Sequence, residues 1–352
     1  MNAVRHTQLN RKPGHANKLL FIAGVLFVVL IGYSNGQTPR TAEDYNNRGL
    51  DRQNKGDIDG AIEDYTKAIS LKGKPITLAT AYNNRANARM SKNDLDGAIE
   101  DYSKAIEIQP DNFENYYNRG VARMARNAND AAMADFSKVI EISPRFALAY
   151  DNRGTVKRAK GDVDGAIGDY SRAIEANPQF AQAYYNRGAA RQSKDDVEGA
   201  IKDYSASLEI APRFAEAYLN RGQAKQSKRD LDGAIVDYNS ALELKPDDAG
   251  TYFARATARQ AKEDLNGALA DYSKTIELDP NLATAYANRA VIETLQGKWA
   301  AADADFDRAF KIDPSLKSTF KAFIESRKRK SAPLMREWCC SLAERYETLR
   351  CA

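Results

Sequence analysis

Histidine is nearly absent from this 352-residue chain: there are two, His6 and His15, both close to the N-terminus. Everything after residue 15 lacks the imidazole that a Ser-His-Asp triad, a Cys-His pair or a His-rich zinc site requires. Cysteine is equally confined. Cys339, Cys340 and Cys351 all fall in the last 14 residues, so no disulfide or thiolate framework holds the body together. Cys351 could pair with Cys339 or Cys340; free thiols on a tail are the alternative. Proline is sparse at 11 residues, which sets the chain apart from low-complexity sequence. No phosphate loop, dinucleotide fingerprint or metal-ligand cluster occurs. No cofactor, metal site or small-molecule substrate is therefore expected.

What charge there is sits at the two ends. The formal net charge is +4. Residues 1–36 hold Arg5, Arg11, Lys12 and Lys18 and no acid, residues 317–352 hold nine basic and four acidic side chains, and residues 37–316 stand at −5. A globally basic nucleic-acid binder would not be built this way, and no nucleic-acid partner is expected. Residues 19–33 form an uncharged apolar run behind that basic stretch. Fifteen residues are short for a bilayer-spanning helix, which needs about 20, and match the core of a signal peptide. Residues 1–36 thus read as a signal peptide cut before Gln37 or as an uncleaved N-terminal anchor. In both cases the remainder is exported, to the periplasm or beyond, or stays tethered outside the cytoplasm.

The body is one motif repeated. Proline recurs at 110, 144, 178, 212, 246, 280 and 314, a constant step of 34. Arginine keeps the same step at Arg85, Arg119, Arg153, Arg187, Arg221, Arg255 and Arg289, and aspartate at Asp101, Asp135, Asp169, Asp203, Asp237, Asp271 and Asp305, each followed by Tyr or Phe. A further copy with Arg48, Asp64 and Tyr65 lies 37 residues upstream, so three residues are inserted around Lys72 to Ile76. Self-similarity at a fixed period marks a stacked-repeat solenoid. Each unit reads as two amphipathic helices. In 79–112 the first carries Tyr82, Ala86 and Arg89, and the second puts Ala98, Ile99, Tyr102, Ala105 and Ile106 on one face. Asp94 suits an N-cap, and Pro110 ends the unit. One such pair cannot bury its apolar face alone; stacking does that.

The units resemble the tetratricopeptide repeat, whose pattern W-x2-L-G-x2-Y, A-x3-F and P spans 34 residues. In residues 181–214 the matches are Tyr184, Gly188, Ala200, Tyr204 and Pro212. The resemblance covers 42–316, divided at about 42–78, 79–112, 113–146, 147–180, 181–214, 215–248, 249–282 and 283–316. It implies an all-α, right-handed solenoid of eight helix-turn-helix repeats. Two positions depart from the family. The Leu position is Arg in every copy, and the Tyr position is Arg or Lys in seven, with Glu293 in the last.

Two cations four residues apart on a helix repel, and need counter-charges. The recurring Asp of the second helix supplies one per repeat, which points to a structural ladder with each Arg paired one to one with its Asp. The other reading is a basic stripe for a polyanion, against which the −5 of the repeat region argues.

The resemblance implies an interaction module with a concave groove lined by first helices. Specificity should come from the positions that differ between copies. One such row is Asn83, Tyr117, Asp151, Tyr185, Leu219, Phe253 and Ala287; four residues on lie Asn87, Val121, Thr155, Ala189, Gln223, Thr257 and Val291; seven on lie Met90, Met124, Arg158, Gln192, Gln226, Gln260 and Thr294. Tyr117, Arg158, Tyr185, Gln192, Leu219, Gln226, Phe253 and Gln260 are the candidate partner-binding residues: apolar surfaces beside amides that could hold an extended backbone or a helix. The alternative is that these aromatics pack between neighbouring repeats. The Lys/Asn set with which some family members clamp a carboxylate is replaced by Ala189 and Gln223, so that function is not carried over.

Leu316, Phe320, Phe323 and Ile324 form an amphipathic cap over the last repeat, followed by the basic run Arg327 to Lys330 (317–330) and a tail, 331–352. The whole reads as a non-enzymatic scaffold exported to the cell envelope that binds a protein or peptide. A polyanion- or membrane-surface-binding protein is the second reading. A regulatory arm of an enzyme is the third, with no catalytic residues assigned.

Overall fold

The computed structural model describes residues 39–328. The N-terminal segment expected to be a signal peptide or anchor, the cut expected before Gln37, the end of the basic run, the tail and the three cysteines lie outside them. Among the described residues every regular element is an α-helix. Sixteen form eight hairpins: α1 (Ala42–Asn54) with α2 (Ile58–Ser70), α3 (Pro75–Ser91) with α4 (Leu95–Ile108), α5 (Phe113–Ala125) with α6 (Asn129–Ile142), and α7 (Ala147–Ala159) with α8 (Val163–Ala176). The same pattern continues through α9 (Ala181–Ser193) with α10 (Val197–Ile210), α11 (Ala215–Ser227) with α12 (Leu231–Leu244), α13 (Ala249–Ala261) with α14 (Leu265–Leu278), and α15 (Ala283–Leu295) with α16 (Trp299–Ile312); α17 (Leu316–Lys328) closes the series.

Each helix packs mainly on the one before and the one after it. First helices of adjacent repeats also touch, as α1 with α3 or α7 with α9, whereas no two second helices approach comparably. The stack therefore curves with first helices inward. Contacts do not reach past the adjacent repeat, so the array is a solenoid whose stability is a sum of hairpin and neighbour terms.

The local rules are short. Within a hairpin the chain turns through one residue of left-handed backbone: Gly56, Gly161 and Gly297 at φ 75–86°, but Asn93, Asn127, Asp195, Arg229 and Glu263 at φ 61–64° elsewhere. An aspartate then caps most second helices; the Asp196 carboxylate accepts from Gly199 N–H at 2.9 Å, a cap worth about 1 kcal/mol. Second helices bury Ala and an aromatic, such as Ala200 and Tyr204, both fully enclosed. First helices meet that aromatic with a small residue. A Cβ added at Gly222 would lie 2.6 Å from the Tyr238 ring. The inserted residues after α2 are partly absorbed as an extra turn at the start of α3, with Pro75 in its first turn, where the missing N–H costs nothing. At the far end α17 buries Leu316, Phe320 and Phe323 against Ala287, Val291 and Phe306 of the last repeat.

Candidate partner-binding face and charge ladder

The recurrent arginine is an inter-repeat staple. In the fifth repeat Arg187 donates from Nε and Nη2 to the two oxygens of Asp203, at 2.9 and 2.7 Å. Its Nη1 donates to Ser171 Oγ of the preceding repeat at 3.1 Å. Its Cζ lies 5.7 Å from the ring centre of Tyr184, three residues back on the same helix. The pattern recurs at Arg85 with Asp101, Arg119 with Asp135, Arg153 with Asp169, Arg221 with Asp237, Arg255 with Asp271 and Arg289 with Asp305. The backward bond goes to Thr66, Ser103, Ser137, Ser205, Asn239 or Ser273. The fork geometry of guanidinium makes this bidentate grip possible, and Lys could not replace it.

The stoichiometry is two cations to one carboxylate, not one to one. The second cation of the first helix also reaches the Asp: Arg191 to Asp203 at 2.8 Å, Lys157 to Asp169 and Lys225 to Asp237 at 2.9 Å. This resolves the repulsion between the two cations, because one buried carboxylate bridges both. The last repeat breaks the rule. There Glu293 stands where the second cation belongs, buried beside Asp305; burial first, then the Asp305 charge, pushes its carboxyl above the ordinary range.

A second ladder runs over the surface. Lys92 pairs with Asp59, Arg126 with Asp96, Lys160 with Asp130, Lys194 with Asp164, Lys228 with Glu198 and Lys262 with Asp232, each linking a first helix to the second helix before it. In the last repeat the pair becomes neutral, Gln296 to Asn266 at 3.0 Å.

The inner face departs most from a simple reading of its sequence. Tyr117, Tyr185, Leu219 and Phe253 are half-buried rather than free. Tyr117 packs on Phe136 and Phe146, Tyr185 on Tyr204 and Phe214, Phe253 on Tyr272, and Leu219 among Tyr238, Ala254 and Ala258. Their inter-repeat packing accounts for much of their surface. The glutamines are engaged as well: Gln192, Gln226 and Gln260 accept from the hydroxyls of Tyr204, Tyr238 and Tyr272, each at 2.8 Å. Gln260 is buried and so is not part of an open surface. Further along, Ala287, Val291 and Thr294 are buried too, so the accessible inner face belongs to the earlier repeats.

That face carries one charge the sequence pattern did not single out. Asp151 on α7 is 6% exposed. Asn186 of the next repeat donates to its Oδ1 at 2.9 Å. Burial pushes its carboxyl up to about 6, against the Asn186 hydrogen bond and the field of Arg158, which both pull it down. Arg158 itself is exposed, two turns further along the helix.

Profiles of the tetratricopeptide repeat match residues 45–75, 113–146, 181–214 and 215–248, and a profile of the TPR repeat matches 86–125 and 154–195. Together they span more than half of the chain. No curated protein is significantly similar to it. Among solved structures, the C-terminal part of a TPR repeat-containing protein from Cytophaga hutchinsonii has 22% identity and a TM-score of 0.57, over 67% of this chain and 97% of that one. A tetratricopeptide repeat protein from Parabacteroides merdae has 16% identity and a TM-score of 0.53, over 74% and 98%. The structure of pilF from Pseudomonas aeruginosa has 16% identity and a TM-score of 0.52, over 57% and 92%. At these identities the likeness concerns the fold. The repeat profiles, the period of 34 and the stacked hairpins agree, and the chain belongs to the tetratricopeptide repeat family.

Proposed function

We propose that the chain is a non-enzymatic scaffold of the cell envelope, holding a peptide or protein segment along the inner face of its first helices. Tetratricopeptide repeats usually serve as protein-protein interaction scaffolds, and the reading for this chain rests chiefly on one contrast. The ladder keeps the same Arg and the same Asp at every step, whereas the inner row changes from Asn83 through Tyr117, Asp151 and Tyr185 to Leu219 and Phe253. A surface kept only for stacking has no need to differ at each step. Export is supported by the apolar run at 19–33 behind four basic residues. The Arg stripe lends the polyanion reading little support, because its guanidiniums are bound bidentately and the side chains from Arg85 to Arg289 are only 13–21% exposed; the basic run Arg327 to Lys330 is the other feature on which that reading rests.

The test is site-specific photocrosslinking in cells expressing the full chain. A crosslinker at Gln223, half-buried on the inner face, is expected to trap a partner protein. One at Val236, 61% exposed on second helix α12, is expected to trap none. Adducts from Val236 alone would overturn the groove assignment. N-terminal sequencing of the exported chain and protease accessibility in spheroplasts decide the location.

A further inference from the structure

Ten carboxylates are buried among the described residues. Eight are the ladder aspartates, each gripped by Arg. Glu293 faces Asp305 and Arg289 at the capped end of the array, with its Oε2 sealed from solvent. Asp151 is the remaining one, and among the described residues it makes no ion pair.

The fold does not need a charge there. In the two flanking repeats the same position is tyrosine, and the same Asn of the following repeat donates to it: Asn152 to Tyr117 Oη at 3.1 Å and Asn220 to Tyr185 Oη at 3.0 Å. A neutral oxygen therefore does the structural work that Asp151 Oδ1 does for Asn186. The second oxygen, Oδ2, accepts no hydrogen bond among the described residues, and it is not one of the polar atoms sealed from solvent. A desolvated carboxylate without a cation is a cost to the fold, and such costs concentrate at functional sites.

We propose that Asp151, with Tyr117 and Tyr185 one register step away on α5 and α9, anchors a lysine or arginine side chain of the partner segment. This rests on the groove reading above and names the chemistry of its central contact. The groups that face Asp151 leave the cation to come from outside. They are Tyr117 on α5, Tyr170 on α8, Asn186 on α9 and, on its own helix, Arg158, which stays beyond ion-pair distance. Among the described residues no set of acids gathers here that could hold a metal ion. One carboxylate in a row whose neighbouring steps are the aromatics Tyr117 and Tyr185 suits an organic cation, for which the carboxylate gives the charge and a ring an apolar or cation–π contact.

The experiment pans a random peptide library on the full chain at pH 7.5, then repeats it on Asp151→Asn and Asp151→Tyr. The wild type is expected to enrich peptides with Lys or Arg at one fixed position. For a selected lysine peptide, Kd should rise at least tenfold in either variant, and equally when that lysine is acetylated. Affinity for the wild type should also fall as pH drops below about 6, where the carboxyl takes up a proton. Thermal melting keeps the variants interpretable, since both retain an acceptor for Asn186 and should melt no lower than the wild type. Peptides enriched without a basic preference, and bound equally by the variants, would overturn this proposal and leave the groove reading standing. If no peptide is enriched, both fall.

Discussion

Repeats seven and eight place the same aspartate in different company. In repeat seven Asp271 receives Arg255 at 2.9 and 2.7 Å and Arg259 at 2.8 Å. In repeat eight, among the described residues, Asp305 receives Arg289 alone, at 2.6 and 2.9 Å, and its second neighbour is the acid Glu293. The surface ladder changes in step, from Lys262 with Asp232 to the neutral Gln296 with Asn266. The hairpin forms either way, so the bidentate Arg is the part of the ladder common to all repeats. The second cation settles charge: it bridges through one carboxylate where repeats continue, and it is given up in the repeat that α17 covers.

Removing the shared arginine breaks this comparison most sharply. Arg289→Ala leaves Asp305 and Glu293 as two adjacent buried acids without the guanidinium that grips Asp305, and should cost about 3–5 kcal/mol by urea denaturation at pH 7. Arg221→Ala leaves Lys225 on Asp237 and should cost roughly 2–3 kcal/mol, the loss of charge-assisted hydrogen bonds alone. Equal losses would show that the second cation carries no weight.

Asp151 gives the contrast within the array, a buried acid that no cation meets among the described residues. Its folded pKa lies above the ordinary Asp value, so the ionised form opposes folding. Its contribution to stability is full below about pH 4 and is lost as pH rises through about 6. Asp151→Asn should therefore stabilise the protein at pH 7 by roughly 2–3 kcal/mol, with the gain vanishing toward pH 4. Glu293 follows the same sign, because its carboxyl is also pushed up. Glu293→Arg, which restores the two-cation arrangement, should add about 1 kcal/mol at neutral pH, a gain that shrinks as pH falls and the wild-type Glu293 takes up its proton. The smallest effect is expected in the turns. Glu263 holds φ 62° where three repeats use glycine, so Glu263→Gly should raise stability by about 1 kcal/mol or less, whereas the same exchange at an exposed helical site should lower it.

The period of 34, the helix pairs and the Arg-Asp step were open to sequence reasoning because stacking repeats the same environment, and hence the same residue, at each turn of the solenoid. What escaped were relations that cross from one repeat to the next. The backward anchor had a signal, Ser103, Ser137, Ser171, Ser205 and Ser273 at the same step of 34, but hydroxyls on a helix surface are ordinary and nothing in spacing says which neighbour they meet. Sharing of one carboxylate by two cations is a matter of angles, invisible in a list of positions. On the inner face the variable aromatics were readable as a surface, yet a ring next to a repeat boundary is drawn into packing on the next hairpin, as Tyr185 is on Phe214 at 4.7 Å between ring centres. Asp151 could have been picked out as the one charged member of its row.

The staple has a direction. From Arg85 to Arg289, Nη1 always reaches back to a side chain of the repeat before it and never forward. A chain leaves the ribosome N-terminus first, so each new first helix emerges to find its anchor already in place on a finished hairpin. The bidentate partner of each arginine, the Asp sixteen residues on, follows with the second helix of the same unit, so the staple of each repeat needs nothing beyond its own hairpin and the one before it, which suits a protein assembled one unit at a time.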